Sequence, residues 1–169
     1  MFENAPGSLV RGFALDGGSG NGVQADSCDG MAVEDCFIGT DATGAAGAGF
    51  DLHGVFPSDC ADFTVARCLL SNLGGNGVFG SFCDRLRIAG CTVGLAADGT
   101  TALENGASGV FMQGCADAVI GGDTPADRNV IAENDDGINA DACAGSADRG
   151  QLPRAEQGRL RRPRRRSVR

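Results

Sequence analysis

Lysine is absent from the chain and histidine occurs once, at His53, so a Lys or His general base with a paired acid is hard to assemble. No apolar run approaches the roughly 18 residues a membrane helix needs. The opening MFENAPGSLV lacks a basic region followed by an apolar one, so no signal peptide is visible. There are only 5 Pro, and the 28 Gly follow no G-X-Y period, which excludes a collagen-like chain. Helical spacing of apolar residues is never sustained for about ten positions before a Gly interrupts it, which disfavours an α-solenoid. What remains is a 169-residue chain with 42% hydrophobic and 21% charged residues, enough for one folded domain.

The net charge of -8 hides an asymmetry. Residues 151–169 carry eight Arg and Glu156, a charge of +7, whereas residues 1–150 hold six Arg against 21 acids, a charge of -15. An acidic body of this kind repels nucleic acid, so no nucleic-acid partner is expected.

The pattern Gly-[Val/Ile]-x4-Cys recurs five times, at Gly22, Gly54, Gly77, Gly109 and Gly137, with Cys28, Cys60, Cys83, Cys115 and Cys143 at a constant offset. Three of these Cys are followed eight residues later by Cys36, Cys68 and Cys91, so all eight stand in register. Successive motif glycines are 32, 23, 32 and 28 residues apart. Shifted by 55 residues, fifteen positions between Asn21 and Asp62 meet identical residues between Asn76 and Asp117.

Within each unit the apolar residues form short β-branched groups, such as MAVEDCFI, FTVARCLL and LRIAGCTV, separated by Gly, Asp and Asn. About 23 residues holding three short strands and three turns is the size of one coil of a parallel β-helix, an all-β solenoid. The longer units then carry loops: residues 39–51 and 94–108 are equivalent excursions on one side. Inward positions are expected at the motif Val and Ile, at Val33, Val65 and Ile88, and at Ile38, Leu70, Val93 and Ile131, each set stacking into an aliphatic ladder. The Cys positions are expected to stack likewise as a structural ladder in a narrow interior.

Two segments, CFIGTDATG (36–44) and VIGGDTPADRNVIAENDDGI (119–138), resemble the recurring segments of right-handed parallel β-helix repeat proteins of the pectate-lyase-like superfamily. The resemblance spans roughly residues 8–145. It implies a right-handed single-stranded helix of about five to six coils, extracellular or on the cell surface, facing a polysaccharide or cell-surface glycan. Cys stands where that family often has Asn or Ser, which leaves Asn129 and Asn134 as the expected ladder asparagines. Enzymes on this fold use clustered carboxylates, to hold Ca²⁺ beside a uronate or as acid and base. Here the adjacent pair in the repeat body is Asp135 and Asp136, with Arg128 as the nearest basic candidate.

Among the loop acids, Asp41 and Asp98 are the candidates for Ca²⁺, along with Asp26, Asp29 and Asp123, although no fixed ligand spacing is present. Cys-x7-Cys lacks the short zinc knuckle, so no metal or cofactor is expected to be resident. Disulfides between stacked Cys are compatible with the strand spacing if the protein is exported. His53 reads as a surface turn residue. Arg67, Arg85, Arg87 and Arg128 are expected to pair with Asp62 or Asp84, as exposed ion pairs of little weight.

The resulting division is a lead at 1–7, the repeat domain at 8–150 and an Arg-rich disordered tail at 151–169. Neither end shows a cap, so the chain reads as a piece of a longer solenoid prone to stack end to end. The expected role is a non-catalytic structural or carbohydrate-facing binding module. The alternative is a polysaccharide lyase or glycoside hydrolase working through Asp135, Asp136 and Arg128. A third class, the periplasmic metal-site maturation proteins that resemble this repeat fold, requires exposed thiols.

Overall fold

The computed structural model describes residues 1–149, so Gly150 and the Arg-rich tail at 151–169 lie outside the described residues. The chain passes repeatedly through three short strands. The first passage is β1 (Phe2–Glu3), β2 (Leu9–Arg11) and β3 (Ala14–Leu15). The second is β4 (Val23–Asp26), β5 (Ala32–Glu34) and β6 (Phe37–Ile38), and the third β7 (Val55–Ser58), β8 (Thr64–Ala66) and β9 (Leu69–Leu70). Then come β10 (Val78–Ser81), β11 (Arg87–Ala89) and β12 (Thr92–Val93), followed by β13 (Asn105–Gln113), β14 (Val119–Gly121) and β15 (Val130–Ile131). The last described strands are β16 (Asn134–Asp141) and β17 (Ala147–Arg149). A 3₁₀ turn at Pro125–Asp127 is the one helical element among the described residues.

Every strand pairs in parallel with the strand three places along the chain. This gives a six-stranded sheet β1-β4-β7-β10-β13-β16, a second of six, β17-β14-β11-β8-β5-β2, and a third of five, β15-β12-β9-β6-β3. The arrangement is all-β and consistent with a parallel β-solenoid. Residues 1–7 contribute β1, whose Phe2 and Glu3 pair with Ala25 and Asp26.

Alternation sets the core, because successive side chains on a strand point to opposite faces. The columns Val23–Val55–Val78–Val110, Val33–Val65–Ile88–Ile120 and Ile38–Leu70–Val93–Ile131 each stack residue on residue in register. All twelve side chains are buried. Burying each contributes about 1.5–3 kcal/mol, and β-branched residues suit strands because their stiff χ1 packs well on a pleated surface.

Both excursions leave the solenoid just after the third sheet, at Gly39 and Gly94, which adopt φ of 88° and 86°. A Cβ at either would run into a backbone carbonyl, that of Ser71 or Ala132. The expected equivalence of the loops holds: the N–H of Ala97 donates to the Gly44 carbonyl at 2.9 Å, so the second excursion lies against the first.

Candidate functional site

The corner between the second and third sheets builds a shallow cleft of about 220 Å³, lined by Gly12, Phe13, Ala14, Asp35, Phe37 and Ala42. Phe13 and Phe37 come from successive passages, joined where the Phe37 N–H donates to the Phe13 carbonyl at 2.8 Å. Phe13 is exposed and Phe37 half-buried against the first excursion, which supplies Ala42. At this corner Asp35 and Arg67 take positive φ of 52° and 55°, so their side chains leave the turn side by side.

Asp35 is held from two sides. Arg67 Nε donates to its Oδ1 at 2.7 Å and Arg11 Nε to its Oδ2 at 2.8 Å, while Arg67 Nη2 also reaches Glu34 at 2.8 Å. Arg67 first, and then Arg11, hold the Asp35 carboxyl below the usual carboxylate range. The group is therefore an ionised acceptor at neutral pH and not a proton donor. Two aromatic rings beside a carboxylate and two guanidinium groups form a surface for a polar ring with one apolar face.

The residues named for the catalytic alternative fall on two sheets. Asp135 and Asp136 lie exposed on β16, in the first sheet, where Asp136 pairs in register with Ser108. Arg128 is exposed and leads from the 3₁₀ turn into β15, in the third sheet. Among the described residues no ion pair joins Arg128 to either acid.

Asp41 and Asp98 each close their own loop. Asp41 Oδ1 accepts the Thr43 N–H at 3.0 Å and its hydroxyl at 2.6 Å. Asp98 accepts the N–H groups of Thr100 and Thr101 and the Thr101 hydroxyl, which pulls its pKa down to about 2. No group of three or more His, Cys, Asp or Glu able to hold a metal occurs among the described residues. Arg85 pairs with Asp62 as expected, at 2.6 Å, whereas Arg67 pairs with Asp35 and Glu34, and Arg87 with Asp127.

His53 corrects the sequence reading. It is half-buried in a polar ladder made by the residues preceding the first four motif Gly residues. Asn21 Oδ1 accepts the His53 N–H at 3.0 Å, His53 Nδ1 accepts the Asn76 N–H at 2.9 Å, and Asn76 Oδ1 accepts the Ser108 N–H at 2.9 Å. This ladder is separate from Asn129, which caps the Cys91 corner, and from Asn134, which accepts from Asn105 Nδ2 at 2.9 Å. Its sequence signal was the recurrence of Asn before Gly at 21 and 76, with His53 as the unlike member.

The imidazole also stands edge-on to Phe56 and Phe79. Phe56, Phe79 and Phe111 stack along the outer face of the first sheet at 4.9 and 5.1 Å. Because these rings cover one another's faces, the column offers ring edges to solvent and stabilises the sheet rather than presenting a flat platform.

The eight thiols are free, and seven are buried, Cys143 being the half-buried one. Each follows a tight corner and donates to the carbonyl two residues back. Cys28 reaches Asp26 at 3.1 Å, Cys60 reaches Ser58 at 3.2 Å and Cys143 reaches Asp141 at 3.4 Å. A thiol accepts too: Cys60 Sγ takes the Cys28 N–H at 3.2 Å. In the column Cys36–Cys68–Cys91 the next place belongs to Asn129, whose Oδ1 takes the Cys91 N–H at 2.8 Å. Cys and Asn thus satisfy the same corner from the inside. Burial pushes the Cys60 thiol up, and the neighbouring Cys68 together with burial does the same for Cys36, which makes them inert.

Compared with known proteins, the chain matches no family model, no curated protein and no solved structure.

Proposed function

We propose that the chain is a right-handed single-stranded parallel β-helix of pectate-lyase type, with five to six coils. Its proposed role is a non-catalytic, carbohydrate-facing module of an extracellular or surface protein. The observation that carries the reading is the cleft in which Phe13 and Phe37 flank the Asp35 carboxylate, itself clamped by Arg11 and Arg67. Aromatic carbon beside fixed charged acceptors and donors is the chemistry that holds a sugar ring: C–H groups against a π-face, hydroxyls on carboxylate and guanidinium. At about 220 Å³ the cleft is smaller than the roughly 300–1,000 Å³ that encloses a drug-sized ligand, and suits one ring of a longer chain. The charge of -15 over residues 1–150 favours uncharged glycans over uronates.

The reading is tested by titrating the protein with neutral xylo- and cello-oligosaccharides and with oligogalacturonides, followed by calorimetry. Binding of a neutral series, weakened at least tenfold by Phe13→Ala or Phe37→Ala, is the expected result. No binding by any series overturns it. Release of reducing or unsaturated ends, lost in Asp135→Asn with Asp136→Asn, replaces it with the lyase or hydrolase alternative.

A further inference from the structure

The five-membered thiol column ends, among the described residues, at Cys115 and Cys143. These two lie in the corners that follow β13 and β16, at the same register. Gln113 pairs with Asp141 on one side of them, Ala116 bridges Ala144 on the other, and the Ala144 N–H donates to the Cys115 carbonyl at 3.1 Å. Neighbouring strands lie about 4.8 Å apart, inside the roughly 4.4–6.8 Å between Cα atoms that a disulfide spans. One passage apart, their thiols make the same bond, Cys115 to the Gln113 carbonyl at 3.7 Å and Cys143 to the Asp141 carbonyl at 3.4 Å.

We infer that Cys143 and Cys115 form a thiol–disulfide exchange site, in which a low-molecular-weight disulfide is reduced and a Cys115–Cys143 bridge is formed. The column has one entrance among its described members. Cys28, Cys60, Cys83 and Cys115 are buried, and Cys143 is half-buried, so a small disulfide in solution meets Cys143 first. Burial raises the Cys143 thiol too, so it is the fraction ionised at alkaline pH that attacks one sulfur of glutathione disulfide, giving a mixed disulfide on Cys143 and releasing one glutathione thiolate. Cys115 then attacks Cys143 Sγ, the Cys115–Cys143 bond forms, and the second glutathione leaves as its thiolate. The protein loses two electrons and two protons, and glutathione disulfide gains them as two thiols.

Cys115 suits the resolving role because it is buried and stands in register beside Cys143, one passage away. Cys83 and Cys115 share the same spacing, but a bridge there would need an oxidant to reach buried sulfur.

The test incubates the reduced full chain with glutathione disulfide at about pH 8.5, quenches with acid, and counts thiols with Ellman's reagent in denaturant. The expected count falls from eight to six. Trypsin then yields a disulfide-linked pair of the peptides that follow Arg87 and Arg128, with Cys115 and Cys143 as the joined residues. Cys143→Ser is expected to keep all its thiols, and Cys115→Ser to stop at glutathione bound to Cys143. The inference is overturned if eight thiols persist, if the mixed disulfide on Cys143 is never resolved in the wild-type chain, or if the bridge joins other cysteines.

Discussion

The imidazole of His53 takes the place of a carboxamide, its Nδ1 accepting the backbone N–H of Asn76 at 2.9 Å with the Asn76 side-chain amide 3.2 Å away. Nδ1 accepts only while it is unprotonated, so the neutral tautomer with the proton on Nε2 is the one that completes the ladder. Burial lowers the pKa of His53 from its ordinary 6.5. The folded pKa is then below the unfolded one, and the unfolded chain binds the extra proton first. Stability is complete above about pH 6.5 and falls as pH drops through that value towards the folded pKa. His53→Asn, which keeps an acceptor and does not titrate, is expected to abolish this fall. His53→Ala is expected to lose about 1–3 kcal/mol above about pH 6.5 by orphaning the Asn76 N–H, and less below it. Urea midpoints at about pH 7.5 and pH 5.5 check all three.

Phe79 is the middle ring of its column, with Phe56 at 4.9 Å and Phe111 at 5.1 Å. Truncation to Ala removes two ring contacts and the His53 edge contact together, an expected loss of about 2–3 kcal/mol. Phe111→Ala removes one ring contact and is expected to cost less. Equilibrium urea unfolding of both variants orders them.

Thr40 sits fully buried at the root of the first excursion, and its hydroxyl has no hydrogen-bond partner. An unsatisfied buried hydroxyl costs about 1–3 kcal/mol, and Val has the same shape without it. Thr40→Val is expected to raise the urea midpoint, and Thr40→Ser, which keeps the hydroxyl and loses a methyl group, to lower it.

Gly39 and Gly99 both have positive φ, 88° and 69°, yet differ in what surrounds them. A Cβ at Gly39 meets the Ser71 carbonyl and lies 2.9 Å from Leu73 Cδ2, while one at Gly99 meets nothing within 4 Å. Gly99→Ala is therefore expected to cost about 1–2 kcal/mol from backbone strain alone. Gly39→Ala is expected to cost clearly more, because the excursion and the neighbouring strand must also move apart. Thermal unfolding of the two variants in parallel separates strain from clash.

Much of the fold is legible in the chain because each level of the repeat is enforced locally. A β-branched residue is needed wherever a short strand faces a narrow interior, and a Gly, Asp or Asn wherever a corner bends. A small side chain that caps a carbonyl is needed just after the bend. Val33, Val65 and Ile88 announce the first requirement and Cys36, Cys68 and Cys91 the last, at fixed spacing, since a solenoid imposes the same constraint once per passage. The cysteines were readable as core residues for that reason, although their capping bonds to carbonyls such as those of Asp26 and Ser58 were not.

What tertiary structure decided is everything that depends on one passage lying against the next. Whether His53 points to water or accepts a bond depends on Asn76, which is 23 residues away and becomes its neighbour only through stacking. Arg67 selects Asp35 over Asp62 because both Arg67 and Asp35 occupy the same corner of successive passages. The cleft likewise joins Phe13 of the first passage to Asp35 and Phe37 of the second, with Ala42 brought in by an excursion. Composition and period determined that a ladder of strands would form. The parallel register then determined which polar groups meet, because hydrogen bonds and ion pairs act over a few ångströms of space and not along the chain.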